Sequence, residues 1–142
     1  MDGNTELLNY IYQNSQMGVR TIEQLLKIAE DKDFANLLKI QEEEYKKLNE
    51  TAVKLLNESG HEEKEIGAMA KVSAYMSINM KTLADKSPSH IADMLIQGST
   101  MGIIDATKIM NEYAEADTAI MELADKLLKT EQNNIEELKK FL

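Results

Sequence analysis

Apolar residues recur along this chain every three or four positions, the spacing of one face of an α-helix. Between Thr5 and about Ala29, Leu8, Ile11, Ile22, Leu25 and Ala29 share such a face, interrupted at Ser15 and Gly18. Asn4 or Asp2 can cap its start, because their side-chain oxygens accept from the unpaired amides of a first turn. The acidic turn Glu30-Asp31-Lys32-Asp33 leads into a second helix, where Phe34, Leu37, Leu38, Tyr45, Leu48, Ala52, Leu55 and Leu56 repeat the spacing up to Ser59-Gly60. So short a turn predicts an antiparallel hairpin over about residues 5–59. From about 63 to 86, Ile66, Met69, Val72, Met76 and Leu83 form a diluted stripe, which predicts an accessory helix. Ser87-Pro88 then reads as an N-cap and a first helical position, where the amide proton that proline lacks is not needed. A third bundle helix runs through Ile91, Met94, Leu95, Gly98, Gly102, Ala106 and Ile109 to about Tyr113. Asp117 can cap a fourth, carrying Ile120, Leu123, Ala124, Leu127, Leu128, Ile135 and Leu138, so a second hairpin is predicted over about 88–142.

Composition narrows the chemistry. At 142 residues the chain suits one domain, 1–142, with a single core. One Pro and six Gly are too few to turn many short strands, which makes the class all-α. The absence of Cys excludes a disulfide scaffold, a thiolate zinc site and a Cys nucleophile. No apolar run approaches the roughly 18 residues of a membrane span, so integral membrane association is not expected. The opening MDGNTELLNY lacks the basic-then-apolar pattern of a secretory signal, and a cytoplasmic location is expected. A net charge of −9, with Arg20 as the lone arginine, disfavours nucleic acid as a partner. The acidic runs at 41–44 and 62–65 have mixed-sign neighbours and read as solvated helix faces.

The halves of the chain also resemble each other. QNSQMG at 13–18 matches QGSTMG at 97–102 in four of six residues, 84 positions apart. LLKIQEEEYKKL at 37–48 matches LLKTEQNNIEEL at 127–138 in four of twelve, 90 apart, and the difference belongs in the turns. The matching pieces keep their order, which predicts two related hairpins.

Two helical hairpins with a long central connection resemble the ferritin-like superfamily over essentially the whole chain, including its small stress-associated and spore-coat-type members. The resemblance implies a four-helix bundle with the accessory helix in the crossover. It also implies a di-metal layer built from one Glu on each of two helices and a Glu-x-x-His on each of the others. Here that motif is degenerate. In the repeat, Gln41 and Glu131 stand where the Glu of Glu-x-x-His belongs, and three residues on lie Glu44 and Asn134, with no His in either half. Residues at one level of an antiparallel pair have a constant sum, near 63 for the first hairpin and near 232 for the second. That places Gly18 to Ile22 opposite Gln41 and Glu44, and Gly98, Met101 and Gly102 opposite Glu131 and Asn134.

Gln41, Glu44, Asp105, Glu131 and Asn134 therefore form either a hydrogen-bonded polar layer or a weak site for one divalent cation such as iron, manganese or zinc. Gly18, Gly98 and Gly102, each costing about 1 kcal/mol inside a helix, serve close packing or leave a small pocket. Met69, Met76 and Met80 offer an adaptable surface, although methionines at such spacing also fill cores. His61 and His90 lie away from mid-bundle, and no phosphate loop, Ser-His-Asp set or GxSxG elbow is present. The expectation is a non-catalytic structural or interaction protein with a decayed metal site, needing no cofactor and self-associating, with Met69, Met76 and Met80 as the interaction surface. The alternative is a metal-binding or ferroxidase-type protein using the mid-bundle carboxylates.

Overall fold

The computed structural model describes residues 2–61 and 85–142. Within them lie four α-helices and no strand: α1 (Gly3–Leu26), α2 (Lys32–Glu58), α3 (Pro88–Glu112) and α4 (Thr118–Lys139). The predicted accessory helix over about 63–86, with Met69, Met76 and Met80, falls outside the described residues.

Three of the helix starts follow capping chemistry. Asp2 accepts from the Thr5 amide at 2.8 Å, Asp31 from Phe34 at 2.8 Å and Ser87 from His90 at 3.3 Å, with Pro88 just inside the first turn of α3. Asp117 holds the N-cap position of α4 but makes no side-chain cap bond. Its own amide donates instead to Asn4 Oδ1 at 2.8 Å, so Asn4 ties α1 to α4 while Asp2 does the capping. α1 stops at Leu26, three residues short of the predicted Ala29. The Lys27 and Ile28 amides bond only three residues back, tightening the last turn before Asp31 starts α2. α2 ends in a Schellman motif: Gly60 takes φ +82°, and the His61 amide reaches the Leu56 carbonyl at 2.9 Å.

The ends of the bundle fix its topology. Phe34, at the start of α2, meets Phe141, just past α4, edge to face with ring centroids 5.0 Å apart. At the other end, Tyr113 packs on Gly3 and Asn4 holds Asp117. α1 and α4 therefore run one way, and α2 and α3 the other. α2 finishes at one end and α3 begins at the opposite one.

Packing is densest within the α1–α2 and α3–α4 hairpins, and α1 also rests on α3 and α4 while α2 rests on α4. Two apolar clusters result. One gathers Leu7, Leu8 and Ile11 with Leu48, Ala52, Leu56, Ala106 and Leu127. The other gathers Val19, Ile22 and Leu25 with Phe34, Leu38, Ile91, Ala92 and Leu138. Buried polar side chains lie between them: Asn14, Ser15, Gln41, Ser99, Glu131 and Asn134. Among the described residues no helix is long and apolar enough to cross a membrane.

A buried polar layer as the candidate functional site

Glu131, on α4, is the one fully buried carboxylate among the described residues, at 3 % exposure. Tyr45, from α2, donates its hydroxyl hydrogen to Glu131 Oε1 at 2.5 Å, across two helices of different hairpins. So short a bond to a carboxylate belongs to the charge-assisted class. Ser99 of α3 adds a second hydroxyl to the carboxyl. Burial pushes the Glu131 carboxyl up to about 7, and the hydrogen bonds from Tyr45 and Ser99 hold it from rising further. The Tyr45 hydroxyl is driven well above its ordinary value by burial first and by the neighbouring Glu131 charge second. Tyr45 therefore stays a donor wherever the protein is folded.

Around this pair, α1 contributes a second set of bonds. Asn14 Nδ2 donates to the Tyr10 hydroxyl at 3.2 Å, and that hydroxyl donates to the Gly102 carbonyl at 3.1 Å. Burial raises the Tyr10 hydroxyl, and the charges of Asp105 and Glu131 raise it further. Ser15 donates to the Ile11 carbonyl at 2.7 Å and accepts from Asn49 Nδ2 at 3.2 Å, joining α1 to α2. Two buried amide nitrogens, Gln41 Nε2 and Asn134 Nδ2, have no hydrogen-bond partner. Asn134 lies beside the Tyr45 hydroxyl without the geometry of a hydrogen bond.

The glycines open this level. A Cβ at Gly18 would sit 2.7 Å from the Tyr45 ring, so the ring rests directly on the α1 backbone. A Cβ at Gly102 would sit 3.2 Å from Asn14 Nδ2 and 3.3 Å from Glu131 Oε2. Gly18 and Gly98, together with Thr21, Leu95, Gln41 and Glu131, line a crevice of about 50 Å³ between α1 and α3. By the rule of about 10–15 Å³ per water it holds a few water molecules.

Gln41, Glu131 and Asn134 are buried as expected. Gln41 and Glu131 share the crevice, while Gly98 lines it and Gly102 faces Glu131. Glu44 does not line the crevice of Glu131. It is half-buried between α2 and α4, where it lines one groove with Gln41 and Asn134 and another with Lys47, Asp125 and Lys129. Asp105 is half-buried near Tyr10 rather than in contact with Glu131. Met101, expected opposite Glu131, is 38 % exposed, because the true level sum is one residue higher and puts Gly102 there.

The buried faces of α2 and α4 also align differently from the sequence match. Phe34, Leu38, Tyr45 and Ala52 correspond to Ile120, Ala124, Glu131 and Leu138, a separation of 86 rather than 90. Tyr45, not Gln41, thus stands at the level equivalent to Glu131. A side chain counted as part of an apolar stripe turned out to carry the central hydroxyl. Ser99 and Asn14 were also missed as site residues. The signal for both was present, since polar residues at interior positions of the two similar hexapeptides interrupt apolar faces.

A di-metal centre needs several carboxylates or imidazoles converging on one point. At this level Glu131 stands alone with hydroxyls and amides, and its Oε1 is engaged by Tyr45. No group of three or more His, Asp or Glu is positioned to hold a metal ion among the described residues. The described residues do not fit such a centre. Comparison with protein-family models, with curated proteins and with solved structures gave no match.

Proposed function

We propose that this chain is a ferritin-like bundle in which a hydrogen-bonded layer stands where the superfamily carries metals. On this reading it works without catalysis, as a cytoplasmic structural or interaction protein. The observation that carries the reading is the Tyr45–Glu131 bond of 2.5 Å, which occupies the centre with a phenol where a second ligating carboxylate would be needed. A duplication origin is part of the proposal. Gly18 faces Tyr45 and Gly102 faces Glu131, so one glycine-against-bulky-residue pairing is repeated at separations of 84 and 86. Self-association is supported by Met101 and Ile104, one turn apart on α3 and 38 % and 50 % exposed.

Anaerobic titration with iron(II), manganese(II) and zinc(II) tests the central claim, and no stoichiometric uptake is expected. Stoichiometric binding that disappears in Glu131→Ala would favour the ferroxidase-type alternative, which uses Glu44, Asp105 and Glu131 with Gln41 in support. Sedimentation tests association: Met101→Lys with Ile104→Lys should lower the mass, and an unchanged mass removes α3 as the contact.

A further inference from the structure

The outward face of α3 differs from the rest of the surface. Asp93, Gln97, Thr100, Met101, Ile104 and Lys108 are all exposed, at the three- and four-residue spacing of one side of a helix. Positions 88–111 hold only three charged residues, Asp93, Asp105 and Lys108, in a chain that is 29 % charged. Asp105 is half-buried, so one acid and one base mark this face and their formal charges cancel. Two copies of a chain of net charge −9 repel each other over most of their surface, and least where that charge is absent. The Asp93 carboxylate accepts from Gln97 Nε2 at 3.1 Å. Thr100 donates its hydroxyl to the Ile96 carbonyl at 2.8 Å, so covering Thr100 strands no donor. Neither Asp93 nor Lys108 has an ion-pair partner among the described residues.

We propose that a second copy of this chain covers the face, the two α3 helices crossing antiparallel at a shallow angle about a two-fold axis between Thr100 and Met101. Asp93 and Lys108 stand equally far along α3 on either side of that axis, about 11 Å at 1.5 Å per residue. The two-fold therefore sets Asp93 of each copy on Lys108 of the other, and gathers Met101 and Ile104 of both copies near the axis. Such a contact is self-complementary, as a closed dimer requires. A parallel pairing of the same helices would instead set Asp93 on Asp93 and Lys108 on Lys108, so the order of the two charges along α3 selects the antiparallel arrangement. The inference rests on the self-association proposed above and adds to it the polarity and register of the partner.

Charge reversal in the full chain, read by analytical ultracentrifugation, tests the pairing. The parent should sediment as a monomer–dimer mixture whose mass rises with concentration. Asp93→Lys or Lys108→Asp, each at an exposed position, turns both attractions into repulsions and should raise the dimer Kd about tenfold, equivalent to ~1.4 kcal/mol. An equimolar mixture of the two variants restores both pairs and should recover the parent's mass at each concentration, as should the chain carrying both reversals. Added salt should narrow these differences, because it screens exposed charges. A parent that stays monomeric overturns the pairing and the self-association reading together. A parent dimer whose Kd both single reversals leave unchanged, or a mixture no heavier than its components, overturns the antiparallel pairing alone and leaves association to another face.

Discussion

Replacing Gly18 by Ala sets two effects of opposite sign against each other. An alanine inside a helix gains about 1 kcal/mol over glycine. The added Cβ would meet Tyr45 Cδ2 at 2.7 Å and Cγ and Cε2 at 2.8 Å, too close for any real carbon contact. The ring must retreat by more than half an ångström, yet it is buried and its hydroxyl is fixed 2.5 Å from Glu131. Overpacking of this kind costs about 1–3 kcal/mol. Weakening a hydrogen bond to a charged group adds part of a further ~1.5–3 kcal/mol. The net expectation is a loss of about 2 kcal/mol, or ~6 °C in the midpoint of thermal unfolding for a chain of this size. Gly102→Ala is the internal control. Its Cβ meets only the ends of the Asn14 and Glu131 side chains, at 3.2 and 3.3 Å, so small adjustments offset the helix gain and the change should stay within about 0.5 kcal/mol. Urea and thermal unfolding followed by circular dichroism measure both. In a Tyr45→Leu background, Gly18→Ala should become neutral or stabilising. A Gly18→Ala protein more stable than its parent, or a Gly102→Ala loss as large as that of Gly18→Ala, refutes the argument.

Three other outcomes follow from the same layer and from the caps. The folded protein holds the proton on Glu131 up to about 7, above the unfolded carboxyl, so this group's contribution is complete below the unfolded value and is lost as pH rises through about 7. Glu131→Gln should therefore flatten the stability profile between about pH 4.5 and 7, by an amount on the order of 3 kcal/mol, as read from unfolding curves against pH. Tyr45→Phe removes a donor that lowers the Glu131 carboxyl, so its titration midpoint, followed by carbon NMR, should move above about 7, and stability should fall by ~1.5–3 kcal/mol. Asp31→Ala should cost about 1 kcal/mol through the lost cap on Phe34, whereas Asp117→Ala should cost a few tenths, because Asp117 makes no side-chain cap bond.

The helices were legible because each boundary has local chemistry: Asp31, the Ser87-Pro88 pair and Gly60 act through contacts within a few residues of themselves. The burial of Gln41, Glu131 and Asn134 was legible too, since each interrupts an apolar stripe. The partner of Glu131 was not. Helical periodicity says which face of α2 is covered, but the axial offset between α2 and α4 depends on packing across residues far apart in sequence. A shift of four residues, about one turn of α2, put Tyr45 in the place assigned to Gln41. Glu44 shows the same limit in another direction, because a position three residues after a buried one turns partly outward when the covered stripe is narrow.

The Tyr45–Glu131 contact lies between two greasy compartments, and this gives the molecule a ruler along its long axis. Sliding α4 by one turn in either direction would bring Leu127 or Ile135 opposite the phenol and carry the acid group away from its hydroxyl, to the level of Gln41 or Asn49. Leucine faces alone tolerate such slippage, since one aliphatic contact is much like the next. The lone acid thus earns its keep by making every wrong alignment expensive, so that the two halves of the chain lock together in a single mutual position.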